Sequence, residues 1–157
     1  MIYGKLVSNA ERIDEVNKIL NEVFNEMNCI DKDIFDISDK QVFHALLYEG
    51  LNEEEAVATG RMIIENNNAY VKWVAVRKEY RRKLYGDMIV RMLIDKAKSL
   101  SIENIYAEVP VYLTDMFKKI GFDLYLYKDE KNSMNEKNYI IMRYGNRKLN
   151  CCQNTQK

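Results

Sequence analysis

The sequence contains no long apolar run and no bias of charge, and each absence excludes a class of protein. No segment has the length and apolar character needed to cross a bilayer, and MIYGKLVSNAERIDEV at the N-terminus lacks the basic region and apolar stretch of a secretion signal. Lys and Arg together number 24, as do Asp and Glu. A general attraction to nucleic acid or to anionic lipid is therefore not expected.

Cysteine is also scarce, and two familiar nucleotide-binding patterns are missing. Cys29 stands alone, while Cys151 and Cys152 are adjacent in a polar tail, so the spacing supports neither a disulfide framework nor a metal site. Neither G-x-G-x-x-G nor G-K-[ST] occurs, which argues against a dinucleotide site or a P-loop. We expect a cytoplasmic protein that binds no metal.

What is present is apolar periodicity, in a chain long enough to bury a core. Of the 157 residues 47% are apolar, which fits a single domain. Residues 2–7 are predicted to form a strand, and Ser8 with Glu11 resembles a capping box that starts a helix. The apolar stripe of that helix consists of Ile13, Val16, Ile19, Leu20, Val23 and Phe24.

The middle of the chain is predicted to form three sequential strands. Residues 27–41 are acidic and irregular, which indicates a loop. The ranges 42–49, 55–64 and 70–77 are rich in branched and aromatic residues and are separated by turn-like segments. Short links between neighbouring strands favour an antiparallel meander.

The second half alternates helices and strands. Helical spacing from Met88 to Leu100 predicts a helix, and 102–109 predicts a strand closed by Pro110. Thr114 and Gly121 bracket a brief helix, followed by strands at 123–127 and 138–144. The predicted fold is α/β, with a mixed, mostly antiparallel sheet flanked by helices. The order is strand, helix, loop, three strands, helix, strand, helix, two strands. Residues 1–144 are expected to form one domain, and 145–157 a mobile polar tail.

One turn carries a candidate anion site. RRKLYGD, residues 81–87, places three basic residues and a glycine between a predicted strand and a predicted helix. The N-terminus of a helix attracts anions such as a pyrophosphate. On the charges alone, three basic residues at a surface turn are more often simply solvated.

Two sequence blocks resemble the GNAT family of N-acetyltransferases. VAVRKEYRRKLYGD is similar to the family's acyl-CoA signature at Val76, Arg81 and Gly86, but Leu84 stands where a glycine is expected. MFKKIGF, residues 116–122, resembles the family's Phe-Tyr-x-Lys-x-Gly-Phe. EVFNEM, FDISD, HALLY and ATGRMIIE resemble a largely uncharacterised bacterial branch. The resemblance extends from residue 1 to about 144.

The resemblance implies transfer of an acetyl group from acetyl-CoA to a primary amine of a small molecule or peptide. It implies that the turn binds the cofactor's pyrophosphate and that backbone N–H groups of the preceding strand, at Val74 to Val76, face the thioester. The implied cofactor-binding residues are Val74, Val76, Arg81, Arg82, Lys83, Leu84, Tyr85, Gly86 and Asp87.

Two departures from the family pattern bear on activity. A leucine forced into left-handed geometry at position 84 costs about 1 to 2 kcal/mol. Phe117 occupies the position of the tyrosine that protonates the departing thiolate in the family, and phenylalanine cannot donate a proton. Tyr112 is a substitute candidate, although a tyrosine there is more often a packed aromatic.

Several questions stay open at this level. Glu26, His44 and Glu108 are candidate bases, and the sequence assigns none of them. The alternative function is a degenerate module that binds CoA or another ligand without turnover, and a third is a structural domain with no affinity for CoA. The acceptor and the oligomeric state, a homodimer included, are also left open.

Overall fold

The computed structural model of the chain describes residues 1–26, 41–50, 55–127 and 139–145. The chain divides into two compact units, Met1–Ile105 and Tyr106–Lys157. The predicted loop, apart from Gln41, and residues 146–157 of the predicted tail lie outside the described residues.

The first unit is an antiparallel sheet with two helices. Its elements are β1 (Ile2–Ser8), α1 (Ile13–Glu26), β2 (Gln41–Glu49), β3 (Ala56–Glu65), β4 (Asn68–Val76) and α2 (Tyr85–Ser99). Strands β1 to β4 pair antiparallel in chain order. The link between β3 and β4 is the pair Asn66 and Asn67, both with positive φ, as expected for a tight hairpin turn. The predicted meander of three strands is confirmed.

The two helices cover opposite faces of this sheet. Leu46 and Tyr48 of β2 belong to the core formed with the apolar stripe of α1. Leu47, between them, points to the other face, where it lies beside the position of Met92 from α2. β2 is therefore buried along most of its length, which explains why its sequence is apolar from Val42 to Tyr48 apart from His44.

The predicted capping box at Ser8 and Glu11 is wrong. Ser8 remains in β1, paired with Phe43, and α1 begins at Ile13. Arg12 has a φ of 54° and its carbonyl accepts the N–H of Val16 at 3.1 Å. The helix starts four residues late because the Asn9 N–H still donates to the carbonyl of Val42 at 2.8 Å, and both Asn9 and Arg12 have positive φ.

The second unit holds the remaining elements. β5 (Asn104–Pro110) contains the boundary between the units, because the first unit ends at Ile105. It is followed by α3 (Thr114–Ile120), β6 (Phe122–Tyr127) and β7 (Tyr139–Tyr144). β7 pairs antiparallel with both β5 and β6. Gly121 ends α3 with a φ of 130°, as the sequence predicted.

These elements confirm the predicted fold class. The described residues contain seven strands, mostly antiparallel, and helices in the predicted order. Pro110 is the last residue of β5 and not the residue that follows it. The extent of the domain, residues 1–144, stays a prediction.

Candidate functional site

The candidate site is built on the start of α2. Leu84 is the residue before the helix and has a φ of 62° and a ψ of 20°, a left-handed conformation. Arg82 is also left-handed, with a φ of 65°. Leu84 has no side-chain oxygen, and no side chain among the described residues caps the helix. The first amides of α2, at Tyr85, Gly86 and Asp87, therefore have no intrahelical acceptor and remain available to an anion.

Three contacts tie the loop before α2 to the rest of the first unit. The Arg81 Nε–H donates to the carbonyl of Val76 at 3.1 Å. Lys83 Nζ lies 3.3 Å from Glu49 Oε2, and the Tyr85 hydroxyl donates to the same carboxylate. The hydrogen bond from Tyr85 and the ammonium of Lys83 lower the pKa of Glu49, while that hydrogen bond and burial raise the pKa of Tyr85 to about 12. Glu49 is thus ionised and Tyr85 is a donor at neutral pH.

Two glycines allow α2 to lie close against the sheet. A Cβ on Gly60 would lie 2.5 Å from Ile89 Cγ2, and one on Gly4 would lie 2.6 Å from Met92 Cε. Such distances are shorter than real Cβ contacts. These glycines fix how closely the helix, and with it the candidate anion-binding turn, approaches β1 and β3.

A β-bulge interrupts β4 beside Gly60. Thr59 pairs with Ala75 and Arg61 with Lys72, so Trp73 and Val74 together face the single residue Gly60. Trp73 has a φ of 56°. A bulge leaves backbone groups of the longer strand outside the regular ladder. The bulge was not predicted from the sequence, where its local signal is a glycine inside a strand.

A buried histidine and arginine lie side by side on β2 and β3. His44 and Arg61 are paired in register, and the Arg61 Nε–H donates to His44 Nε2 at 2.9 Å. Burial and the nearby guanidinium lower the pKa of His44 to about 3. His44 is therefore neutral, and its Nε2 lone pair is already occupied. This arrangement does not suit a catalytic base.

The other predicted cofactor residues lie on the same unit. Val74 is at the bulge and Val76 ends β4, both half-buried. Arg81, Arg82, Lys83 and Leu84 are exposed, the last with 76% of its surface accessible. Tyr85 is buried and its side chain is committed to Glu49, so its backbone amide is what remains for a ligand. Gly86 and Asp87 are half-buried in the first turn of α2, and Asp87 pairs with Arg91.

The proton-transfer candidates of the second unit differ in exposure. Tyr112 lies in a single 3-10 turn, Val111–Leu113, and is 64% exposed. Phe117 is 1% exposed and packs edge-on against Phe122, with ring centres 5.1 Å apart. Glu108 is half-buried, on the opposite phase of β5 from Ala107 and Val109. The side chain of Glu26 lies outside the described residues.

The residues of the turn fit a pyrophosphate. Uncapped amides at Tyr85 to Asp87 supply donors, and the exposed cation of Arg82 precedes them. Among the described residues, no cluster of three His, Cys, Asp or Glu side chains can hold a metal ion. None of the helices in that part of the chain is long and apolar enough to span a membrane.

Comparison with known proteins bears on the family and the fold of this chain. The model of the acetyltransferase (GNAT) family matches residues 13–122. No curated protein matches the sequence significantly.

Solved structures with low sequence identity share the fold. Escherichia coli ElaA has a TM-score of 0.76 at 18% identity, with 92% of this chain and 100% of that chain covered. An acyl-CoA N-acyltransferase from Pseudomonas aeruginosa has a TM-score of 0.76 at 15% identity, with the same coverage of 92% and 100%.

A third structure is a complex with the cofactor. The PaiA N-acetyltransferase from Thermoplasma acidophilum, in complex with coenzyme A, has a TM-score of 0.68 at 11% identity, with 93% and 99% covered. Because the family model matches well over half of the chain, across both units, the protein belongs to the GNAT acetyltransferase family.

Proposed function

We propose that the protein transfers an acetyl group from acetyl-CoA to a primary amine. The observation that supports this most directly is the start of α2, where uncapped amides follow the exposed cation of Arg82. Such a terminus carries about half a positive charge and binds phosphate groups well. GNAT proteins bind acyl-CoA, and one structural neighbour is a CoA complex.

The reaction is a direct attack. The amine nitrogen forms a bond to the thioester carbonyl carbon, the C–S bond breaks, and CoA leaves as a thiolate. A lysine-like amine has a pKa of about 10.4, so it must lose a proton before or during attack. Backbone N–H groups from Val74 to Val76, next to the bulge, are our candidates for stabilising the oxyanion.

Proton delivery to the thiolate would not come from Phe117. A thiol with a pKa of about 8.5 is a tolerable leaving group, and a general acid contributes about 100- to 10,000-fold. Tyr112 is exposed, and its hydroxyl is our candidate donor. We assign no base, since the Nε2 lone pair of His44 is occupied by Arg61 and a pKa of about 3 makes its imidazole a weak base.

The acceptor, the cellular location and the extent of the catalytic domain are part of the proposal. GNAT enzymes act on small-molecule or protein amines. We expect a small-molecule or peptide amine here, a cytoplasmic location, and residues 1–144 acting as one catalytic domain. A homodimer stays a prediction.

Acetyl-CoA binding is the first test. At about 100 times the dissociation constant, a ligand stabilises the folded state by about 2.7 kcal/mol, which raises the thermal midpoint of a chain of this size by roughly 5 to 10 °C. Arg82→Gln should reduce that rise, because the exposed guanidinium then no longer meets a phosphate. Lys78→Gln, an exposed change in the neighbouring turn, serves as the matched control. No shift in the wild-type protein over a wide concentration range would refute the proposed function.

A second function is a module that binds CoA without turnover. It is favoured by the left-handed Leu84 and by the buried Phe117, which carries no proton donor. Phe117→Tyr separates the two functions in an assay of free CoA thiol with a panel of amines. An enzyme that lacks its acid should gain rate, whereas a binding module should release no thiol in either form.

A further inference from the structure

The loop from Arg81 to Tyr85 is held through every second side chain. Arg81 donates to the carbonyl of Val76 at 3.1 Å. Lys83 Nζ lies 3.4 and 3.3 Å from the two carboxylate oxygens of Glu49. The hydroxyl of the buried Tyr85 donates to the same carboxylate. Two of the three anchored side chains therefore depend on one acidic residue.

The residues between these anchors face outward. Arg82 and Leu84 are exposed and both are left-handed, with φ values of 65° and 62°. This conformation is costly for residues that carry a Cβ, so it persists only where the surroundings impose it. Arg81 and Lys83 are exposed as well, but their side chains are bound to Val76 and Glu49, whereas the guanidinium of Arg82 lies exposed just before the uncapped amides of α2.

Glu49 reaches the loop from a distant part of the chain. It is the last residue of β2, pairs with Ile2 of β1, and is separated by 34 residues from Lys83 and by 36 from Tyr85. Its carboxylate accepts from Lys83 and from Tyr85, which lie on either side of Leu84. These two contacts restrain the backbone at Leu84. No contact with a ligand is needed for this restraint.

We infer that Glu49 is a positioning residue for the cofactor site. It holds Lys83 and Tyr85 so that Arg82 and the amides of Gly86 and Asp87 are preorganised for the pyrophosphate of acyl-CoA. The inference rests on the proposed function. It also gives the three cations different roles. Arg81 binds the carbonyl of Val76, Lys83 pairs with Glu49, and Arg82 is the main phosphate contact. Preorganisation of this kind raises affinity because the loop need not be ordered on binding.

Calorimetric titration of the full chain with CoA tests the inference. Glu49→Ala should weaken binding by about tenfold, since a loop freed from both anchors loses conformational entropy when CoA binds. Glu49→Gln keeps an acceptor for the Tyr85 hydroxyl and should lose less affinity. Glu79→Ala removes an exposed carboxylate from the neighbouring 3-10 turn and should bind CoA at least as well as the wild-type protein.

A double-mutant cycle distinguishes positioning from a general loss of structure. Tyr85→Phe should weaken binding by itself but add little to Glu49→Ala, because both changes break the same contact. In turnover assays with an accepted amine, KM for acyl-CoA should rise while kcat stays within about twofold. Thermal midpoints measured without ligand identify any variant that fails to fold. If Glu49→Ala does not fold, the CoA affinities of Glu49→Gln and Tyr85→Phe test the inference in its place.

The outcomes separate this inference from the function on which it rests. If the wild-type protein does not bind CoA, the proposed function fails and the inference fails with it. If the wild-type protein binds and folded Glu49→Ala and Tyr85→Phe bind equally well, the inference alone is overturned. Weaker binding in both variants with the Glu79→Ala control unaffected supports it.

Discussion

Leu84 departs from the family motif at the residue just before α2. A glycine at this position would adopt the left-handed conformation freely, whereas leucine pays for it. The leucine side chain is 76% exposed, so the cost is one of backbone conformation and not of burial. The neighbouring anchors on Glu49 supply the restraint that keeps the residue there.

Leu84→Gly should raise the free energy of unfolding. Relief of left-handed strain is worth about 1 to 2 kcal/mol, and the extra freedom of glycine in the unfolded chain offsets about 0.5 to 1 kcal/mol of it. The net gain is up to about 1.5 kcal/mol, measured by urea unfolding. Leu84→Ala is the matched control, because alanine keeps the Cβ and the strain. An equal gain in both variants would show that the side chain and not the backbone is responsible.

His44 predicts a pH dependence of stability. Its folded pKa, about 3, is lower than the ordinary value of 6.5, so the unfolded state binds more protons between these limits. The stability contributed by neutral His44 is present above pH 6.5 and is lost as the pH falls towards 3, by up to about 1.4 kcal/mol per pH unit.

The variant His44→Gln isolates this effect. Glutamine can still accept from Arg61 but does not titrate, so the stability advantage of the wild-type protein should shrink as the pH falls from about 7 to about 4. Urea unfolding at several pH values measures the difference in free energy of unfolding between the two proteins. Both proteins carry the same carboxylates, so the difference reports on His44. A difference that stays constant with pH would contradict the buried, neutral state of His44.

At the scale of elements, the position of α2 decides where the candidate site lies. The helix meets β1 and β3 at two glycines, and its first turn carries the uncapped amides of the candidate anion site. The bulge at Trp73 and Val74 lies opposite one of these glycines, Gly60. Gly60 therefore lies against α2 and also opposite the β-bulge of β4.

Gly60→Ala should destabilise the protein by about 1 to 3 kcal/mol, as overpacking of a core does. Its Cβ would lie 2.5 Å from Ile89 Cγ2, a methyl group on a stiff branched side chain. Gly4→Ala is the control, because its Cβ would meet the terminal Cε of Met92 at 2.6 Å and the flexible methionine can move away. Thermal unfolding compares them, and an equal loss in both would contradict this account.

At the scale of the whole molecule, charge is balanced, and the cations of the candidate site form a local group. The chain carries 24 basic and 24 acidic side chains. We expect no measurable binding to a duplex DNA of arbitrary sequence at about 0.15 M salt, as checked by fluorescence anisotropy. Micromolar binding that weakens steeply with salt would show that the basic turn acts as a nucleic-acid patch.

The sequence by itself determined the features that depend on near neighbours. Apolar spacing predicted the order of strands and helices, and Gly121 predicted the end of α3. The basic run with Gly86 predicted where α2 would start, and its role in anion binding stays a prediction. These signals suffice because side-chain period and glycine conformation are local properties of the backbone.

The tertiary structure decided the features that join distant residues. The start of α1 at Ile13 depended on how far the pairing of β1 with β2 continued, which the capping pattern at Ser8 could not reveal. The positive φ of Trp73 follows from the register of β3 against β4, and the role of Glu49 follows from contacts 34 and 36 residues away. No local pattern encodes such contacts, because they exist only once the strands have paired and α2 has packed on them.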